Sequence, residues 1–421
     1  MGLFGFTLAP LFAAEPRLLS LKQAEELAIK NHPRITSAEL IALASKQVTR
    51  QARSAFFPTI TANATAAGAS ASNTRLAAGG LNNPLVLDRN AEGVNITQLI
   101  TDFGRTANLT ASAKLRSQAE QQNALATRAQ ILLEVNAAYF DSLQAQSVQE
   151  VARQTVSTRQ LTFDQVNELA KNNLRSGLDV SFAKVNLEQS KLLLANAQND
   201  LEAAFARLSN LLGEREQESF VLTDEPVAPA APMDASQLVE TALKNRPDLV
   251  RLRFSRDAAA RFARAEKDLH YPTISAIGSA GVIPVHDPLL RDNYAAAGVN
   301  LSVPIFEGFL FSAREKEAQL RSKAATEDLR DEENNVIRDV RLAVLNVNYA
   351  AERMTLTAQL LESAKEAFDL AQARYKVGSS SMVELSQAQL SETEAEIGQA
   401  RAKYEYQVRS AMLNYETGVL Q

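Results

Sequence analysis

The chain has no cysteine and no tryptophan, only three histidines, and 6% aromatic residues. Without cysteine there are no disulfides, no thiolate metal sites and no lipid-anchoring thiol. With His32, His270 and His286 as the only imidazoles, histidine-based metal clusters are nearly excluded as well. A length of 421 residues suggests two or three globular domains, but so few aromatics leave little bulk for large cores. The formal charge of -5 is mild and the signs alternate along the helical stretches, which gives no basic footprint for nucleic acid. There is no P-loop, Gly-x-Ser-x-Gly, dinucleotide fingerprint or paired histidine, so the residues support no enzyme, no cofactor and no bound metal. Beyond the N-terminus no run of 18 or more apolar residues occurs, which excludes a helical membrane anchor and leaves a barrel of short strands open.

What is present is first an apolar start. Met1 to Ala14 carries Leu3, Phe4, Phe6, Leu8, Leu11 and Phe12 and ends in small residues before Glu15-Pro16. It reads as a secretory signal, although a basic n-region is missing and Phe12 is awkward for cleavage after Ala14; an apolar tail is the plainer alternative.

The remainder says the same thing twice. Asn31-His32-Pro33-Arg34-Ile35 returns as Asn245-Arg246-Pro247-Asp248-Leu249, and Phe57-Pro58-Thr59-Ile60 as Tyr271-Pro272-Thr273-Ile274, both at an offset of 214. Gly93-Val94-Asn95-Ile96-Thr97 matches Gly298-Val299-Asn300-Leu301-Ser302 at offset 205, so the first copy holds nine extra residues between Pro58 and Gly93, as in a longer surface loop. A period near 200 is too long for a solenoid unit. The expected organisation is a signal-like segment 1–14, a first repeat 15–222, a Pro/Ala linker 223–233 and a second repeat 234–421.

Each repeat opens with a short helix, Leu21 to Lys30 and Ala235 to Lys244, halted at Asn-x-Pro because the residue before proline is pushed out of the helical region. Second helices follow, from about Ile35 to Ala55 and Leu249 to Leu269. Ile60, Ala62, Ala64 and Ala66 then alternate with Thr61, Asn63 and Thr65. Val94, Ile96 and Gln98 alternate with Asn95 and Thr97, and Val299, Leu301 and Val303 with Asn300 and Ser302. Period two with one apolar and one small polar face fits a thin sheet wet on one side. A flexible linker has similar composition, but linkers need not keep Gly-Val-Asn-apolar-hydroxyl twice. Ala69 to Glu92 and Val282 to Tyr294 read as loops. Phe56, Phe57, Phe103, Tyr271, Phe306 and Phe309 gather at the strand ends, either as an interfacial girdle or as plugs of a helix-to-sheet junction.

Long helices follow the strands. From Gly308 to Tyr375 no proline or glycine intervenes, and Val336, Val340, Ala343, Val347, Ala350, Met354, Thr357, Leu361, Ala364, Phe368, Ala371 and Tyr375 keep a 4-3-4-3 spacing. Leu125, Ala129, Leu132, Asn136, Tyr139 and Leu143 form the twin seam between Gly104 and Asn172. Leu342, Tyr349, Leu356 and Leu370 make a second apolar row at the heptad c position, and a helix with two seams has two neighbours. Each long helix ends in a turn where glycine is expected to supply the left-handed conformation, Arg175-Ser176-Gly177-Leu178-Asp179 and Val377-Gly378-Ser379-Ser380-Ser381. Returning helices run from Asp179 to Leu212 and from Met382 to Glu416.

The duplicated Asn-x-Pro, the strand exits Ile100-Thr101-Asp102-Phe103-Gly104-Arg105 and Val303-Pro304-Ile305-Phe306-Glu307-Gly308, and the turn Arg374-Tyr375-Lys376-Val377-Gly378 together resemble the TolC-type outer-membrane efflux proteins, over essentially the whole mature chain. The resemblance implies a mainly α fold with a small transmembrane β part. A homotrimer would share a twelve-stranded β-barrel in outer-membrane lipid, four strands per chain, continued into the periplasm as a tunnel of twelve long coiled helices. It implies a passive channel for efflux or type I secretion, opened at its tip by a periplasmic adaptor and an inner-membrane pump. Gly177, Leu178, Val377, Gly378 and Ser379 would then dock the adaptor, and Asp179, Tyr375, Ser380 and Glu384 would form the periplasmic gate. A basic residue that latches the closed end in some members falls at Ser380 here, so closure is expected to rest on Tyr375 hydrogen bonds and helix packing. For the glycines, helix termination is the plainer role; for Asp179 it is N-capping, and for Glu384 a solvated first-turn acid. The rival function is a coiled-coil scaffold without transport activity, which explains the heptads and not the period-two segments.

Overall fold

The computed structural model describes residues 17–68, 74–75, 85–86, 89–214, 220–224, 226, 234–285 and 291–420. The signal-like segment 1–14 and most of the linker 223–233 lie outside the described residues. The first repeat runs β1 (Arg17–Leu19), α1 (Leu21–Asn31), α2 (Pro33–Ser54), β2 (Thr59–Ala67), β3 (Thr74–Arg75), β4 (Leu85–Val86), β5 (Arg89–Thr101), α3 (Arg105–Lys171), α4 (Gly177–Leu211) and β6 (Phe220–Leu222). The second runs α5 (Ala235–Asn245), α6 (Pro247–Lys267), a single 3-10 turn, β7 (Thr273–Val285), β8 (Asn293–Ser302), α7 (Leu310–Lys376) and α8 (Met382–Glu416). The duplication is exact in helix length where it matters most: α3 and α7 both have 67 residues, and α4 and α8 both have 35.

Local chemistry sets the boundaries. Ser20 caps α1 in a reciprocal box with Gln23. Pro33 and Pro247 are the first residues of α2 and α6, so these helices start two residues before Ile35 and Leu249; a proline N–H is not needed in the first turn and its φ is already helical. At both strand-to-helix exits two successive residues have positive φ, Phe103 with Gly104 and Gly308 with Phe309. The repeats exchange the order of phenylalanine and glycine there.

Two compact units result, one from residues 1–39, 123–248 and 332–421, the other from residues 40–122 and 249–331. Each draws on both repeats. In the second unit, β2-β5-β7-β8 form one antiparallel sheet in that order. Cross-strand partners share a face. The register Ile60↔Ile96↔Gly278↔Ala297 and Ala62↔Val94↔Ala280↔Ala295 therefore builds an apolar face, continued by Ile274↔Leu301 and Ala276↔Val299. Thr61↔Asn95↔Ser279, and Ser275↔Asn300, build the polar face. The loops are shorter than expected. Arg89 to Glu92, Val282 to Val285 and Asn293 to Tyr294 are strand, because ladder bonds are made by the backbone and persist beyond the apolar alternation. Gly93, Gly281 and Tyr294 stand on neighbouring strands, and the Tyr294 ring lies over both glycines, where a Cβ would meet its hydroxyl at 2.2 and 2.6 Å.

In the first unit, β1 and β6 pair in parallel, an element too short to show in the sequence. Their core gathers Leu19, Ile131, Val135, Tyr139, Leu208, Leu212 and Phe220. The Tyr139 hydroxyl donates to the Thr223 carbonyl at 2.7 Å, which is why an aromatic alcohol can occupy a seam position. Along α7, Val336, Val340, Ala343, Val347, Ala350, Ala364, Phe368, Ala371 and Tyr375 are all buried. The second row, Leu342, Tyr349, Leu356 and Leu370, is 49–66% exposed in the single chain.

Candidate functional site

The two helical turns come together in the first unit. Val166 of α3, Ala183 of α4, Phe368, Ala371 and Tyr375 of α7, and Met382 and Leu385 of α8 form one buried cluster, so both hairpins are held at a common end. Arg175, in the first turn, lies over the Tyr375 ring at 4.3 Å and donates from Nη2 to the Tyr375 carbonyl at 2.9 Å. The Tyr375 hydroxyl is buried with no hydrogen-bond partner among the described residues. Burial raises its pKa, with Arg175 opposing and Asp179 adding to the rise. Within one chain Tyr375 is thus held through its ring and its carbonyl, both by Arg175 of the first turn.

Gly378 ends α7 with φ +77, and Ser379 N–H bonds the Arg374 carbonyl at 2.9 Å in the six-residue closure of a Schellman turn. Gly177 does not play that part. Asn173, at φ +60, ends α3, with Leu174 N–H on the Leu169 carbonyl at 2.9 Å; asparagine tolerates the left-handed region through its short polar side chain. Gly177 is the first residue of α4, and nothing lies within 4 Å of where its Cβ would be. Leu178 and Val377 are 65% and 79% exposed, and Leu174 and Val383, which the sequence did not single out, are comparably bare.

The acids are engaged. Ser176, not Asp179, is the N-cap of α4; Asp179 sits at the third helical position, its carboxylate accepting from Ser176 N–H at 3.2 Å and Oγ at 2.9 Å. Ser381 caps α8, and Glu384 accepts from Arg374 Nη1 at 2.9 Å instead of closing the box. Ser379 Oγ donates to the Arg374 carbonyl at 3.1 Å, and Ser380 is half-buried beside it. An open groove of about 640 Å³ runs along Asp164, Glu168, Leu169, Arg175, Tyr375 and Lys376. No cluster of potential metal ligands occurs among the described residues.

The sheet is the other half of the site. One face is mainly apolar and the other mainly polar, and among the described residues β2 and β8 leave both edges of the sheet without a hydrogen-bonded neighbour. No described helix is long and apolar enough to cross a membrane.

A two-faced antiparallel sheet that feeds long paired helices defines a class, the protomer of a β-barrel channel with a helical extension. The outer membrane efflux protein family profile matches residues 25–214 and 238–418, and the chain belongs to that family. It is 26% identical to the outer membrane protein TolC of Vibrio cholerae over 428 residues, covering 98% of this chain and 95% of that protein. To TolC of Escherichia coli K12 it is 24% identical over 360 residues, 79% of this chain and 72% of that protein. A membrane protein of Pseudomonas aeruginosa solved by crystallography superposes with a TM-score of 0.82 at 22% identity, over 94% of this chain and 93% of that one, which shows the shared fold. The fold is a TolC-like α/β-barrel, and the protein is an outer-membrane efflux or secretion channel reaching into the periplasm, not an enzyme. The scaffold reading falls with that result.

Proposed function

We propose that three chains assemble into a passive conduit, with twelve strands closed in outer-membrane lipid and the long helices continuing the wall into the periplasm. The observation that carries this is the sheet: one apolar face and two bare edges. Unpaired strand edges are not tolerated in hydrocarbon, and four strands are too few to close a barrel. The exposed second row of α7 and, separately, Leu40, Ile41 and Leu43 on α2 supply helical counterparts, apolar faces awaiting a neighbouring copy. In this reading Gly177, Leu178, Val377, Gly378 and Ser379 receive a periplasmic adaptor, which links the tip to an inner-membrane pump. Asp179, Tyr375, Ser380 and Glu384, braced by Arg175, form the constricted end. The pump supplies the energy.

Native mass measurement in mild detergent tests the assembly. A mass of three chains is expected. A monomer alone overturns it.

A further inference from the structure

The two compact units differ in charge. Residues 40–122 and 249–331 carry 20 Lys and Arg against 15 Asp and Glu, a net +5, whereas the other unit carries 24 against 34, a net -10. Part of that excess is repeated with the fold. Arg50 and Arg53, in the last two turns of α2, recur as Arg264 and Lys267 in α6 at the same offset of 214 that relates Phe57-Pro58 to Tyr271-Pro272. All four are exposed and none has an ion-pair partner among the described residues. The nearby acids are already taken: Asp102 caps α3, Asp268 accepts from Asn108 at 2.8 Å, Glu266 holds Arg314, and Glu315 faces His270.

Their direction is also shared. Val48, Gln51 and Ala52 of α2, Ala55 just beyond its end, and Phe262 of α6 line one cavity of about 500 Å³. At about 100° per residue, Arg50 and Arg53 stand roughly 160° round α2 from Val48 and Ala55, and Arg264 and Lys267 about 140–160° round α6 from Phe262. Both pairs therefore leave the opposite side of the helical layer from that cavity. Each lies one to two turns before an exposed aromatic (Phe57 at 59%, Tyr271 at 46%) and a strand with an apolar face. Cations in a last helical turn also offset the helix dipole, which accounts for Arg53, Arg264 and Lys267 but less for Arg50, a turn earlier.

We propose that Arg50, Arg53, Arg264 and Lys267 form a basic belt that binds the phosphates of anionic phospholipid headgroups on the periplasmic leaflet. The proposal rests on the reading of the strands as membrane-inserted. Guanidinium and ammonium groups next to an apolar band meet lipid phosphates without having to break an existing ion pair, and the three-chain assembly would carry the belt around its girth.

The test uses the full chain reconstituted in vesicles of phosphatidylethanolamine and phosphatidylglycerol. Ionic conductance is recorded, and the lipids that remain with the protein after polymer extraction are quantified. The parent should retain phosphatidylglycerol above its bulk fraction, less so at high salt. The variant Arg50→Gln, Arg53→Gln, Arg264→Gln, Lys267→Gln should return to the bulk fraction, with a loss of about five-fold in headgroup preference per cation. Arg50→Lys, Arg53→Lys, Arg264→Lys should keep the enrichment, as should Lys184→Gln, Arg401→Gln in the other unit. Conducting protein without enrichment overturns the belt alone, and so does a drop in helix content with lipid retention unchanged. Altered ion selectivity with unchanged lipids also overturns it, because the cations would then line the conduit. Failure to insert or conduct overturns both the belt and the channel reading.

Discussion

Replacing Arg175 by alanine removes two contacts with Tyr375 at once, the guanidinium over the ring at 4.3 Å and the bond to the carbonyl at 2.9 Å. A partly exposed cation–π contact contributes about 1 kcal/mol. A hydrogen bond from a charged donor contributes about 1.5 kcal/mol, taken at the low end because Arg175 is only half-buried. Allowing for non-additivity, about 2 kcal/mol of the link between the two hairpins is lost, and local opening becomes roughly thirty-fold more frequent. Arg374→Ala removes a different arginine of the same region. Its pair with Glu384 joins side chains that are 58% and 42% exposed, so at most about 1 kcal/mol and five-fold are expected. Amide hydrogen exchange over residues 370–386 in detergent reads both. Arg175→Lys should resemble the alanine variant, since an ammonium neither stacks flat nor forks. The reasoning is refuted if Arg175→Ala exchanges within two-fold of the parent, or if Arg374→Ala loosens the region as much.

Two further outcomes follow from backbone and charge. Gly213→Ala should lower the melting temperature more than Gly378→Ala: both sit at positive φ, about 1–2 kcal/mol for an L side chain, but only at Gly213 would a Cβ lie 2.8 Å from the Asn31 carbonyl, while Gly378 has open space; equal losses in thermal melts would contradict this. Glu392, on α8 near Lys365 and Asp369 of α7, has its pKa raised to about 7 by burial and then by Glu396, with Lys365 opposing and Asp369 adding. A raised carboxyl binds its proton more tightly when folded, so this group's contribution is present in acid and is lost as pH rises from about 4.5 to about 7. Glu392→Gln should flatten the melting profile across that window, and an unchanged profile would remove Glu392 as its cause.

The fold was legible where a pattern repeats. Two copies of Asn-x-Pro, of the aromatic-Pro-Thr-Ile strand entry and of the 4-3-4-3 seam carry the order of helices and strands, because proline geometry and side-chain periodicity act locally. What stayed hidden depends on partners far apart in sequence. The β1–β6 pair brings Arg17–Leu19 beside Phe220–Leu222, and three residues have no period to read. At the turns glycine was expected to terminate both long helices, and Asn173 does so for α3. Arg175 was visible in the first turn, but only the fold brings it onto Tyr375, 200 residues away.

The duplication is most instructive where it diverges. Arg246, at the end of α5, bonds Asp248 at 2.6 and 3.1 Å and pairs with Glu416 at the end of α8, all with little exposure. Its pKa is raised: burial pushes it down, but the bond to Asp248 and the charges of Asp248 and Glu416 outweigh that. In the first repeat the same positions are His32, Arg34 and Leu211. His32 is buried with its pKa lowered, first by burial and then by Arg34, its Nδ1 accepting from Arg34 N–H at 3.2 Å, while Leu211 packs against the apolar core. Both solutions close the same joint, in which Gly213 meets Asn31 and Gly418 meets Arg246 across a Schellman turn. A buried ion pair and an apolar replacement of similar size are close in stability, whereas either partner alone is costly. A chimera that keeps Glu416 without Arg246 therefore inherits a buried carboxylate stripped of its ion-pair partner, whereas one that keeps Arg246 without Glu416 retains the pair with Asp248.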